Sequence, residues 1–166
     1  LLPIIAADFG WSTSYATRIQ MYVGIGVFLI SFTVGPIAEK IGRSNGLTFV
    51  TVGTAISSCL TGFTTGATML VLVRAISGLG YQEQAINSAY MNEITVNVKN
   101  KGFRYGFVQG GWPIGAMLAA IVCALFLDKV GWRAIFWFAT IPAIIIVLLR
   151  LKLKESPKWL QMRDVK

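Results

Sequence analysis

Long apolar stretches alternate with short polar ones along the whole chain. An apolar run at Leu1–Ala7 passes into Asp8-Phe9-Gly10-Trp11-Ser12, and further apolar stretches follow at about Ser14–Ala38, Gly46–Gly62, Ala67–Met91, Phe103–Leu127 and Trp132–Leu149. At about 1.5 Å of rise per residue, these five are of the length that crosses roughly 30 Å of hydrocarbon as a helix. The pattern therefore predicts an all-α, polytopic transmembrane helical bundle. The third stretch is rich in Thr and Ser, whose hydroxyls can return to the helix backbone. Between the spans lie Phe63–Gly66, the polar loop Asn92–Lys101 and the turn Asp128–Gly131, and a basic tail opens at Arg150. Leu1–Ala7 reads as the end of a first helix whose beginning lies upstream, because the basic segment that opens a signal peptide is absent.

Composition supports this reading. The chain is 55% hydrophobic and 13% charged, with a mean hydropathy of +0.65. A soluble domain carries about a quarter charged residues. The net charge of +8 comes from short clusters between apolar stretches, with no aromatic-interleaved stripe, so no nucleic-acid partner is expected. Cys59 and Cys123 fall inside apolar segments and are expected to pack. With no histidine and no clustered carboxylates, metal, cofactor and hydrolase chemistry lack their parts. Asp8-Phe9-Gly10 has the letters of a kinase metal triplet without the accompanying loops, and is expected to be a helix-end turn.

The basic residues divide unevenly between alternate loops. Lys40 and Arg43 follow the second span, Lys99, Lys101 and Arg104 the fourth, and Arg150, Lys152, Lys154, Lys158, Arg163 and Lys166 the sixth, whereas the other side has Arg18, Lys129 and Arg133. Lys and Arg accumulate on the cytoplasmic side of membrane proteins, so the loops after spans two, four and six are expected there, in a multi-pass cell-membrane protein.

Several residues stand out against this background. Gly35-Pro36-Ile37-Ala38-Glu39-Lys40-Ile41-Gly42-Arg43 offers a small residue for close helix packing and charges Glu39, Lys40 and Arg43 for a latch at the mouth; the alternative is a turn bearing orienting charges. Arg74, inside the fourth span, needs a partner or must snorkel to the headgroups. Glu83 faces away from Arg74 at 100° per residue and shares a stripe with Asn87 and Tyr90. That stripe suits a water-filled cavity in which Glu83 exchanges protons, or else a structural carboxyl bonded to Gln82, Gln84 or a neighbouring helix. Glu93, Lys101 and Arg104 cluster at the same mouth. Gln109 can donate and accept, and so can read a hydroxyl pair or a carboxylate, or hold a neighbouring helix. Gly106/Gly110 and Gly111/Gly115 with Pro113 suggest a kinked fifth helix with a close neighbour.

Taken together, the Gly35–Arg43 stretch, Arg74 followed by Gly78 and Gly80, Tyr90-Met91-Asn92-Glu93 with Lys101-Gly102 and Gln109, and Glu155-Ser156-Pro157-Lys158-Trp159-Leu160 resemble motifs of the major facilitator superfamily, and of its sugar-porter branch. Glu39 stands where the family has Asp, and Lys101 where it has Arg. The resemblance implies half of a twelve-helix fold. Residues 1–151 would hold the end of helix one and helices two to six, and 152–166 the start of a central cytoplasmic loop. It further implies secondary active transport of a sugar or organic acid with protons, by alternating access. Gln109, Asn87 and Arg74 would bind substrate, and Glu83 is the proton-coupling candidate. Gly35, Glu39, Lys40, Arg43, Glu93, Lys101 and Arg104 would form the cytoplasmic gate. Its partners would be substrate, protons, membrane lipid and a carboxy-terminal half. A facilitator without proton coupling, or a non-transporting receptor or scaffold, is the alternative.

Overall fold

A computed structural model describes residues 2–95 and 99–164; Leu1, residues 96–98 of the polar loop and residues 165–166, including Lys166 of the basic tail, lie outside the described residues. The described residues are helical, with no strand among them: α1 (Leu2–Asp8), α2 (Thr13–Ile41), α3 (Arg43–Thr61), α4 (Ala67–Ile76), α5 (Leu79–Ile94), α6 (Lys101–Gln109), α7 (Gly111–Arg150) and α8 (Pro157–Asp164). The second span is α2 and the third α3. The fourth is α4 with α5, the fifth is α6 with the first arm of α7, and the sixth is the second arm of α7.

Local chemistry explains where these helices start and break. Ser12 begins α2 by accepting the Tyr15 N–H at 3.3 Å, as an N-cap does. Only Gly42 separates α2 from α3, so the third helix starts three residues before the apolar stretch. Gly42 has φ 106° and ψ 161°, a region that only glycine adopts without strain. The predicted continuous fourth span is interrupted at Ser77–Gly78, where the Gly78 and Gly80 N–H groups bond three residues back rather than four. The fifth breaks at Gly110, close to where Pro113 was expected to kink it, because proline has no N–H for the Gln109 carbonyl. The turn predicted at Asp128–Gly131 is found, concentrated at Gly131, whose non-helical φ of 75° and ψ of 166° divide α7 into two helical arms.

The hydroxyls of α3 behave as expected. Thr48, Thr51, Thr54 and Thr61 each donate to the carbonyl four residues back. Ser57 instead crosses to the Val73 carbonyl of α4 at 2.6 Å. Val34, Ala38, Leu47, Val50, Leu79 and Ile86 form one apolar core between α2, α3 and α5. A second, of Ile5, Ile19, Val23, Leu70 and Trp132, joins α1, α2, α4 and the second arm of α7. The close approaches fall at glycines other than the one expected. A Cβ at Gly26 would stand 2.6 Å from that of Ala75, at Gly46 2.8 Å from that of Ala38, and at Gly78 2.8 Å from the Val27 backbone, whereas a Cβ at Gly35 would meet nothing within 4 Å among the described residues. Among the described residues, then, the helix contact expected at Gly35 is made at these other glycines instead.

The fifth helix stands apart. Phe103, Phe107 and Trp112 are exposed, and Gly106, Gly111 and Gly115 have nothing beside them. No neighbour for its glycines exists among the described residues. By length and apolar composition, α2 and the stretch Lys101–Arg150 are each able to cross a membrane. The third and fourth spans fall short of that measure, one being diluted by hydroxyls and the other divided at Ser77–Gly78.

Candidate functional site: a polar mouth and an arginine cavity

The loops rich in Lys and Arg meet at one end of the bundle. There Glu155, just before α8, turns its carboxylate onto the start of α3, accepting the N–H groups of Ser44 (2.9 Å) and Asn45 (3.5 Å) as well as that of Ser156 (3.0 Å). A carboxylate at a helix N-terminus satisfies orphan donors and complements the helix dipole. Space for it exists because residue 42 is glycine: a Cβ there would lie 2.3 Å from Glu155 Oε2. Beside it, Glu93 at the end of α5 accepts from Arg43 Nε (3.4 Å) and from Ser156 Oγ (2.5 Å). The Ser44 hydroxyl donates to the Leu153 carbonyl (3.1 Å) and the Tyr90 hydroxyl to that of Lys154 (2.8 Å). Trp159 Nε1 donates to the Glu39 carbonyl (2.9 Å). Three segments far apart in sequence are thus tied at this mouth.

The predicted gate residues divide. Arg43 and Glu93 are joined, as a latch requires. Glu39 and Lys40 have exposed side chains, and Glu39 takes part through its backbone carbonyl. Lys101 lines a small cleft with Met91, Asn92, Thr95, Gly102 and Tyr105. Neither it nor Arg104 has an ion-pair partner among the described residues.

Farther inside, two members of the predicted stripe meet the end of the sixth helix and the segment after it, Glu83 through Arg150 and Tyr90 through the Lys154 carbonyl, while Asn87 between them is half-buried. Arg150 turns back into the bundle. It donates to the Leu47 carbonyl (3.0 Å) and the Thr51 hydroxyl, and pairs with Glu83. Of the possible partners for Glu83, the neighbouring helix is therefore the one found. Arg150, counted as a tail charge in the sequence, is the residue missed: an arginine closing an apolar stretch looks like a membrane-flanking charge, and only helix packing reveals that it points inward.

Arg74 is different. The ion pairs of the described residues leave it without a carboxylate. It lines a cavity of about 130 Å³ with Gln20, Ile19, Leu2, Ile5 and Phe136 among others, its guanidinium 5.6 Å from the Phe136 ring centroid. It stays inside the bundle, as its place in the sequence suggested it must unless it snorkelled. Asp8, the acid at the end of α1, is engaged elsewhere: its Oδ2 accepts from Trp132 Nε1 (3.1 Å) and from Arg133 (2.8 Å). Gln109 donates from Nε2 to the Tyr105 hydroxyl (2.8 Å), which lies 2.7 Å from Ser88 Oγ on α5. Tyr105 and Ser88, too, were not singled out by sequence.

This arrangement holds a hydrogen-bonded mouth at one end and, among the described residues, an unneutralised cation within the helices, the parts of a membrane passage rather than of a reaction centre. The model of the Major Facilitator Superfamily matches residues 1–162, and the chain belongs to that family of integral membrane transporters. It is 27% identical to a probable 4-methylmuconolactone transporter of Cupriavidus pinatubonensis, over 99% of this chain and 39% of that protein. It is 29% identical to the sialic acid transporter NanX of Escherichia coli, over 97% of this chain and 40% of the relative. The crystal structure of a double-tryptophan XylE mutant superposes with a TM-score of 0.69 at 21% identity, over 98% of this chain and 40% of the other. The chain thus spans about two fifths of the relatives it matches. Their names and fold are those of metabolite transporters, not enzymes.

Proposed function

We propose that this chain forms the amino-terminal half of a secondary transporter that moves a small organic acid or acidic sugar with protons by alternating access. Residues 1–151 supply the bundle and 152–166 the start of the central loop, with the basic mouth cytoplasmic. The observation that carries the substrate class is Arg74, a cation inside the helices with an adjoining cavity and, among the described residues, no acid to neutralise it. A carboxylate completes such a site, and a guanidinium binds it through charge-assisted hydrogen bonds. The relative named for sialic acid agrees with that chemistry. Asn87 and Gln109 add neutral contacts, and the Arg43–Glu93–Ser156–Glu155 network is the latch that opens as the halves rock.

The test is uptake by the full-length protein in vesicles. Arg74→Gln is expected to lower carboxylate counterflow at least tenfold; unchanged counterflow removes the anion site. An impermeant thiol reagent on whole cells should modify a cysteine placed at Thr65 but not one at Lys101, and the reverse pattern inverts the orientation.

The Glu83–Arg150 pair favours a second reading, in which Glu83 is structural and the protein is a facilitator or couples protons elsewhere. Glu83→Gln separates the two. A coupling role predicts loss of uphill accumulation with exchange retained, whereas a structural role predicts that accumulation keeps its dependence on pH.

A further inference from the structure

Gln20 of α2 lines the same cavity as Arg74 of α4. Both helices begin at the end of the bundle opposite the basic mouth, α2 at Thr13 and α4 at Ala67. Each of the two side chains therefore stands about two turns, or about 10 Å, into its helix, at matching depth. The walls around them are apolar, among them Ile5, Leu70 and the Phe136 ring. Among the described residues neither the Gln20 amide nor the Arg74 guanidinium has a hydrogen-bond partner. No buried side-chain nitrogen is left unsatisfied there either, so the guanidinium donors are not sealed in but open to the cavity. A cavity of about 150 Å³ takes up benzene. This one, at about 130 Å³, has room for a ligand of a few heavy atoms, the charged head of a metabolite.

We infer that Gln20 is the second recognition residue of the Arg74 site, donating its amide N–H to the carboxylate that Arg74 holds. An ionised carboxylate has about four lone-pair positions, and a bidentate guanidinium takes two of them. Between hydrocarbon walls the others are costly to leave bare. Gln20 is the donor beside them. Because the amide is neutral, the site keeps the single positive charge of Arg74 and matches a monoanionic head. An acid in place of Gln20 would pair with Arg74 and fill the site from within. This rests on the proposal that Arg74 binds the carboxylate of the substrate.

Propionate, small enough for the cavity, tests this on the purified full-length protein in detergent, its binding read from the rise in unfolding temperature. Wild type should be stabilised by sodium propionate beyond equimolar sodium chloride, and not by propionamide, the neutral isostere. Gln20→Leu should weaken propionate about tenfold, the loss expected for one hydrogen bond to a charged group. The nearly isosteric Gln20→Glu should abolish the response to propionate and raise the unfolding temperature in its absence, because the new carboxylate takes the place of the ligand at Arg74. A merely structural Gln20 gives no such exchange of binding for stability. If wild type does not respond, responds equally to propionamide, or keeps its response in Arg74→Gln, Arg74 is not a carboxylate site and the proposed substrate class falls with the inference. If Arg74→Gln removes the response but Gln20→Leu leaves propionate affinity unchanged, the anion site stands and the role of Gln20 falls. A wild-type response in Gln20→Glu likewise overturns the inference, since the two side chains then do not share the anion.

Discussion

The two ends of the bundle solve the same problem with opposite means. Each uses a carboxylate to tie segments far apart in sequence. At the basic mouth the Glu93 side chain is 10% exposed and that of Arg43 19%, and the neighbouring Glu155 bonds to backbone N–H groups at a helix start. At the other end Asp8 and Arg133 are 44% and 40% exposed. There the cation is held largely by ring faces, its guanidinium 4.3 Å from the Trp132 centroid and 5.5 Å from that of Phe9. Phe9 in turn stacks on Trp11 at 4.8 Å. A shielded ionic network is costly to leave half made, whereas an exposed ion pair is screened and weak. The lesson is that the mouth has the stronger but more brittle closure, and the aromatic end the weaker but more forgiving one.

The sharpest way to break this contrast is at Glu93. Glu93→Ala strands Arg43 and the Ser156 hydroxyl together, and should destabilise the resting state of the full-length protein by about 3 kcal/mol, the low end for an abandoned buried partner. Thermal unfolding in detergent checks the loss, and faster thiol labelling at the mouth checks its location. Glu39→Ala, by comparison, should shift unfolding little, because only the backbone of Glu39 is engaged. An equal loss from both substitutions would mean that the network is not the closure.

Next in size is Gly42→Ala. It places a side chain at φ 106° and pushes the Glu155 carboxylate off the α3 N-terminus, for an expected cost of about 2 kcal/mol. A Glu155→Gln variant should lose part of the same energy, so the double mutant should fall short of additivity.

The smallest effect belongs to the exposed end and appears in its pH response. The Trp132 and Arg133 hydrogen bonds hold the Asp8 carboxyl below its usual range. A carboxyl whose folded pKa is depressed adds stability that is complete above the unfolded value and fades as pH falls through the folded one. The contribution of Asp8 should therefore persist through neutral pH and disappear only in acid below the ordinary aspartate range. Unfolding of Asp8→Asn should not show that acid step. A step at the same pH in wild type and mutant would assign it to another group.

Much of this molecule was already written in its order of residues. The apolar periods placed the helices, Pro113 announced the break beside it, and the Thr and Ser of α3 returned to its backbone as their chemistry requires. These are local consequences of propensity and spacing, which need no knowledge of neighbours. Arg43 and Glu93 were legible as members of one mouth because the loops that carry them repeat a known pattern. Pairing was not legible. Arg150 reads as a flanking charge until packing turns it onto Glu83 and Thr51, Gly35 reads as a contact until the contacts fall at Gly26, Gly46 and Gly78, and Glu39 reads as the latch acid until Glu155 takes its place at the helix start. Nor could the order of residues set Gln20 on the cavity of Arg74, which depends on how α2 packs against α4. The physical reason is common to all of these: helix formation is settled within a turn or two of chain, whereas the partner of a charge or of an amide is settled by side chains meeting across helices, and that depends on rotation and depth that only the assembled bundle fixes.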